Sequence, residues 1–187
     1  MNSIIKLPLL LAVFWASIAM ANAAAPANTV PNWNAYAGVK ITITGQITGV
    51  FPVIYAHGFS YAVVSPRDAA SGLPTGKRQH NPIKFTKLIN NVSPLLFQAI
   101  VHNENLNSVV IQFLGTDRSV GTTITLTNAN ISRFAPYSQS IIAGKPLADG
   151  VAPWFNELED IEMTFQKIEI SSPNGATAQD DWEQPVN

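Results

Sequence analysis

Short runs of strict alternation constrain this chain more than any other feature. In "GVKITITG", Val39, Ile41 and Ile43 share one face, and Lys40, Thr42 and Thr44 share the other. A half-buried strand needs this period of two. "GFSYAVV" groups Phe59, Tyr61 and Val63, and "PIKFTK" pairs Ile83 with Phe85. "SVVIQFLG" aligns Val109, Ile111 and Phe113, while "GTTITLTNANI" aligns Ile124 and Leu126. "DIEMTFQKIEI" aligns Ile161, Met163 and Phe165. All are rich in β-branched and aromatic residues and bounded by Gly, Pro, Asn or Asp.

Three runs change parity partway: from Ile83 and Phe85 to Leu88, from Leu126 to Ala129 and Ile131, and from Phe165 to Ile168 and Ile170. An extra residue in a strand does this, and such bulges bend a sheet toward closure. A strand that simply ends there does it too. One segment breaks the strand pattern. In "SPLLFQAIVHNEN", Ser93 is placed to cap a helix, with Pro94 at its first position. Leu95, Leu96, Ala99 and Ile100 follow at helical spacing. The expected fold is therefore mainly β: a small, closed or nearly closed antiparallel β-barrel with one short α-helix that plugs or caps it.

The N-terminus reads as a secretory signal peptide over residues 1–23. Lys6 forms the positive region, an apolar run follows from Leu7 to about Ala19, and small-x-small sites come next. The run is shorter than the ~20 residues a membrane-spanning helix needs. Residues 24–36 read as a flexible leader, 37–171 as the barrel domain and 172–187 as a disordered acidic tail. Two long loops are expected, Ser65–Pro82 and Ala135–Glu157.

Charge is sparse. Acidic and basic residues make up 12% of the 187, and the net charge is −1, against a usual charged share of roughly 25%. No global field draws such a chain to nucleic acid or, once the signal peptide is removed, to a membrane. A weakly charged surface also resists self-association poorly. There is no cysteine, which excludes disulfides and thiolate chemistry.

No catalytic or metal-binding constellation is legible, and no cofactor is expected. His57, His80 and His102 stand apart and lack metal-ligand spacing. Glu157, Glu159, Asp160 and Glu162 cluster, but Glu162 alternates outward, so the cluster reads as a solvated edge. The chain is expected not to be an enzyme. Against this low charge, "PTGKRQHNPIKFTK" is conspicuous for its four cations and a histidine.

That stretch, extended to "TGKRQHNPIKFTKLINNVSPLLFQAIVHNENLNSVVIQFLGT", resembles the Hcp family, the haemolysin-coregulated proteins that form the inner tube of type VI secretion systems. Gly76, Lys77, Arg78, His80, Pro82, Ser93, Pro94, Leu95 and Leu96 follow the order and spacing of the family's G-K-R-x-H-x-P segment and its SPLL-type helix. The resemblance covers about Val39–Ile170. It implies a small barrel flanked by a helix, a homo-oligomer of hexameric rings that stack into a tube, effector proteins carried in the lumen, and an extended loop that joins rings. Pro74, Gly76, Lys77, Arg78, His80, Lys84 and Lys87 are then the oligomer-interface candidates. The four cations would pair with acidic residues of the next copy, or else form a solvated basic face.

One feature departs from that family. Its tube subunits assemble in the cytoplasm, whereas a signal peptide makes this an exported version, secreted or periplasmic. The alternative is a secreted monomeric module that binds a ligand or protein through the aromatics Tyr137, Trp154 and Phe155.

Overall fold

The computed structural model describes the backbone of residues 38–141 and 154–182, and the side chains of 38–138 and 157–182. The expected signal peptide, 1–23, and leader, 24–36, lie outside the described residues. The described chain forms β1 (Val39–Gly45), β2 (Ile54–Ser60), β3 (Val63–Val64), β4 (Gln79–His80), β5 (Ile83–Leu88), α1 (Ser93–Val101), β6 (Leu106–Leu114), β7 (Val120–Ile141), β8 (Trp154–Ser171) and β9 (Thr177–Asp181).

Strand order is β5-β2-β1-β6-β7-β8-β9, and β5 also pairs with β8. That extra pairing closes six strands into an antiparallel barrel with the short helix outside it, which is the expected fold class. Closure joins the two edge strands of these six, β5 and β8, over Leu158–Met163 of β8. Alternation then sorts the side chains. Val39, Ile41 and Ile43 of β1 point inward and are buried, as are Val109 and Ile111 of β6. Phe85, Ile54, Leu126, Ile161 and Met163 fill the interior around them.

Single extra residues bend the wall where the ladder registers shift. His57 is extra in β2, between the Ala56–Lys87 and Gly58–Thr86 pairs. Ser132 is extra in β7, between Ile131–Met163 and Arg133–Glu162. Two of the three expected parity changes are present, in β7 and β8, and they face each other. Their cause differs from the expectation: Thr127–Lys167 and Ala129–Phe165 keep one register, so no residue is inserted. Instead Asn128 takes a left-handed conformation, with φ 51°, and its side-chain amide donates to Gln166 Oε1 at 2.7 Å. The third change does not exist. In β5 the inward position after Ile83 and Phe85 belongs to Lys87, and Leu88 lies outside.

Both long segments expected to be loops are partly strand. β7 runs to Ile141 and β8 starts at Trp154, so the barrel extends into a two-stranded ribbon. The acidic tail is likewise not disordered through Asp181. Residues 177–181 form β9 and pair with Lys167–Ser171, because β8 outruns β5 and leaves donors and acceptors there to be met. The helix cap also differs from expectation. Val92 is the N-cap and no side chain caps the helix. The hydroxyl of Ser93 instead accepts from Asn90 N at 3.0 Å.

At the helix end of the barrel, the buried Glu104 anchors the β1–β2 connection. Its Oε1 accepts from Ile47 N at 2.8 Å and Thr48 N at 2.7 Å, and its Oε2 from the Thr48 hydroxyl at 2.7 Å. Only glycine fits beneath it: a Cβ on Gly45 would stand 2.2 Å from Glu104 Oε1. Gly45→Ala is therefore expected to destabilise the protein by about 1–3 kcal/mol, read by urea unfolding. Gly38→Ala, where a Cβ meets nothing within 4 Å, serves as the control and is expected to stay within about 0.5 kcal/mol.

Candidate functional site

Between β2 and β5 the chain leaves the barrel and returns. This arm, Tyr61–Pro82, has a stem in which β3 pairs with β4, Val63 opposite His80 and Val64 opposite Gln79. Farther out, Arg67 bridges to Pro74. The tip is a tight turn: Asp68 accepts from Ser71 N at 2.7 Å and from the Ser71 hydroxyl at 2.7 Å, and Gly72 has φ 69°. Those hydrogen bonds hold the Asp68 carboxyl below its ordinary range. Val63, Val64 and Leu73 are exposed along the arm.

At the arm's base the side chains converge on β9. Arg78 donates from Nε and a terminal nitrogen to both oxygens of Asp180. His80 Nε2 lies 2.7 Å from Asp180 Oδ2, and the Tyr61 hydroxyl lies 2.5 Å from His80 Nδ1. A carboxylate only accepts, so Nε2 carries the proton toward Asp180, and in the neutral ring Nδ1 accepts from Tyr61. Trp182 and Phe165 pack on the imidazole, with ring centroids at 5.0 and 5.6 Å.

This order of groups, hydroxyl to imidazole to carboxylate, is that of a nucleophile, its base and an orienting acid. The electrostatics oppose that use. Burial, then the Asp180 charge, push the Tyr61 hydroxyl above its ordinary pKa, which disfavours the phenolate. Arg78 chiefly holds Asp180 below the ordinary range, so the carboxylate is committed as a clamp. Beside it lies an open cleft of about 340 Å³ lined by Tyr61, Asn81, Pro82, Lys84 and Glu162, among others.

The sequence candidates separate into four groups. Pro74, Gly76 and Lys77 are exposed on the arm. Arg78 and His80 form the clamp. Lys84 pairs within the chain, 2.7 Å from Asp160, because the β5–β8 pairing sets its neighbours across the seam. Lys87 is not a surface residue. It is 0% exposed, as is Glu159, its partner at 2.5 Å. Lys87 also donates to Leu88 O at 2.8 Å and Ser93 Oγ at 3.0 Å, which uses all three ammonium protons. Burial lowers its pKa, opposed by Glu159. Lys87, fully buried, is thus corrected as an interface residue, while Arg78 and Lys84 are partly exposed and meet acids of their own chain. Glu159, read as part of a solvated edge, is corrected with Lys87.

Of the aromatic candidates, Tyr137 is exposed on β7. Trp154 and Phe155 pair in the ribbon backbone with Ile141 and Ser140, and their side chains lie outside the described residues. Sequence reasoning missed Asp180 and Trp182.

A family model described as "Type VI secretion system effector, Hcp" matches residues 52–171. The chain belongs to the Hcp family. A relative from Pseudomonas aeruginosa, "Major exported protein", is 35% identical over 142 residues, covering 71% of this chain and 77% of that protein. A crystal structure of an Hcp protein superposes with TM-score 0.64 at 25% identity, over 77% of this chain and 98% of the other. The secreted protein Hcp3 of Pseudomonas aeruginosa shares the fold, with TM-score 0.58 at 23% identity, over 78% and 98%. Hcp-family proteins are structural parts of a secretion system rather than enzymes, which agrees with a clamp at Asp180.

Two outcomes follow. Lys87→Met strands a buried carboxylate and should cost about 3–5 kcal/mol in urea unfolding, while the double variant Lys87→Met/Glu159→Leu should recover much of that. The Asp180 pKa is lower folded than its ordinary 3.8, so its contribution to stability is complete above that value and lost as pH falls through the lower folded one. In acid melts, native protein should lose stability below about pH 4 more steeply than Asp180→Asn.

Proposed function

We propose that this chain is an exported, self-assembling Hcp-family subunit that forms hexameric rings, periplasmic or secreted, and that its arm joins one copy to the next. The arm carries the reading. It holds a defined shape, exposes Val63, Val64 and Leu73, and contributes no residue from Val63 to Gln79 to the buried core. Ordered, exposed apolar chain of this kind suits contact with a second surface. Low net charge leaves little repulsion between copies.

Lys77, exposed and without an ion pair among the described residues, is the cation that remains available to an acidic group of a neighbouring copy. Pro74 and Gly76 lie beside it. The lumen of such a ring is the place for effector proteins. The N-terminal sequence supports export by a signal peptide, which separates this subunit from a tube that grows in the cytoplasm.

Light scattering and negative-stain microscopy of residues 24–187 test the reading. Rings of about six subunits are expected, and a strict monomer at micromolar concentrations sinks it. Leu73→Asp, at a site 65% exposed, should abolish rings while shifting stability by no more than about 0.5 kcal/mol.

A further inference from the structure

The arm keeps its direction without a core of its own. Its stem is only two residue pairs long. Its tip is held by bonds internal to the arm: Arg67 to Gly72 O at 3.1 Å, Ser71 to Asp68, Thr75 N to Pro66 O at 2.9 Å. None of these aims the arm relative to the barrel. Among the described residues, every side-chain hydrogen bond between the arm and the rest of the chain ends on Asp180 or Asp181.

β9 is an equally spare element. Thr177, Ala178 and Gln179 are exposed, and Asp180 and Asp181 are half-buried. It lies on β8 by its backbone ladder, from Ser171–Thr177 to Lys167–Asp181, extended by Trp182 N donating to Gln166 O at 3.1 Å. The place is set by length. β5 covers the edge of β8 from Leu158 to Met163, and β9 covers it from Lys167 onward. The arm's last residues enter β5 at Ile83, opposite Met163, where the two covers meet. There Arg78 and His80 grip Asp180, and Trp182 lies on His80.

We propose that β9 is a strap. It fixes the direction in which the arm leaves the barrel, and the arm presents a contact surface to a second copy only while the strap is seated. The arm and the C-terminal strand open and close as one unit. The consequence for assembly rests on the proposed function; the mooring itself does not, and it is read on the arm directly.

The test is limited trypsin digestion of mature protein, because Arg67 and Lys77 place cleavage sites in the arm. Asp180→Ala is expected to raise the initial cleavage rate at those sites about tenfold, with amide exchange of β1 and β6 unchanged. The charge exchange Arg78→Asp/Asp180→Arg is expected to restore most of the protection at Arg67, whose flanking residues it leaves unchanged, an effect that loss of packing alone does not predict. Unchanged arm cleavage in Asp180→Ala overturns the proposal.

Should that variant fail to fold, amide exchange in the native protein decides. Val64 and His80 in the stem should exchange at the same opening rate as Gln179 and Asp181 in β9, and clearly separate rates overturn the strap. Ring formation is scored separately. Rings that survive a freed arm refute the arm's role in assembly and leave the mooring intact. A native chain that is monomeric still reports the mooring by protease.

Discussion

Across the seam where the sheet meets itself, Lys87 of β5 and Glu159 of β8 stand directly opposite each other with no solvent exposure. A pair this deep contributes little net stability compared with apolar residues of the same size. It restricts alternatives, though. Sliding β5 by one residue along β8 turns the ammonium out of the interior and leaves the carboxylate inside alone. Ser93 extends the constraint to the helix, since its hydroxyl donates to Glu159 Oε1 at 2.9 Å while accepting from Asn90 N. Closure register and helix entry are thus set by one small polar network. Its remaining oxygen, Glu159 Oε2, is buried and meets no hydrogen-bond donor among the described residues.

Register at the seam then dictates what happens below it. With Ile83 opposite Met163, β8 continues toward Ser171 with its β5-side edge bare. An uncovered stretch of backbone invites pairing with another chain, and this chain covers it with its own β9. Asp180 of β9 then faces Arg78 and His80, which precede β5. Strand lengths bring these groups together as much as the charge of Arg78 does. The arm is a consequence of the same geometry: the chain must cross from β2 to β5, and it does so by a long excursion whose foot lies on the strap.

The barrel was legible because alternation marks the inward face: β1 follows it throughout, β6 from Val109 to Gln112, and β8 from Glu159 to Met163. The parity rule held even where it was not applied. Lys87 lies two positions after Phe85 and Glu159 two before Ile161, so both occupy inward positions. A buried cation demands a buried anion, and that demand points from one to the other. Reading Leu88 as the inward residue, because it is apolar, hid the pair. The clamp offered less. Nothing local to "TAQDDW" marks a strand, since Asp, Gln and Ala are poor strand formers. β9 exists because β8 supplies a ladder, and that depends on which strand ends first, a long-range fact. The left-handed Asn128 was equally hidden: its effect on parity was visible, but not its cause.

The basic stretch shows why charge alone misleads about partners. Four cations in a sparsely charged chain invite an anionic ligand or a neighbour's acidic face. Folding uses three of them internally: one buried at the seam, one beside Asp160 on the wall, one on the strap. Each acid is brought by a different part of β8 or β9, from sequence far downstream. What remains for a partner is the arm's apolar edge with Lys77, so the specificity of any contact there comes from shape and direction more than from charge. Direction is the property an isolated two-pair stem cannot supply, and a strap at its foot supplies it through Asp180 and the Trp182 ring on His80.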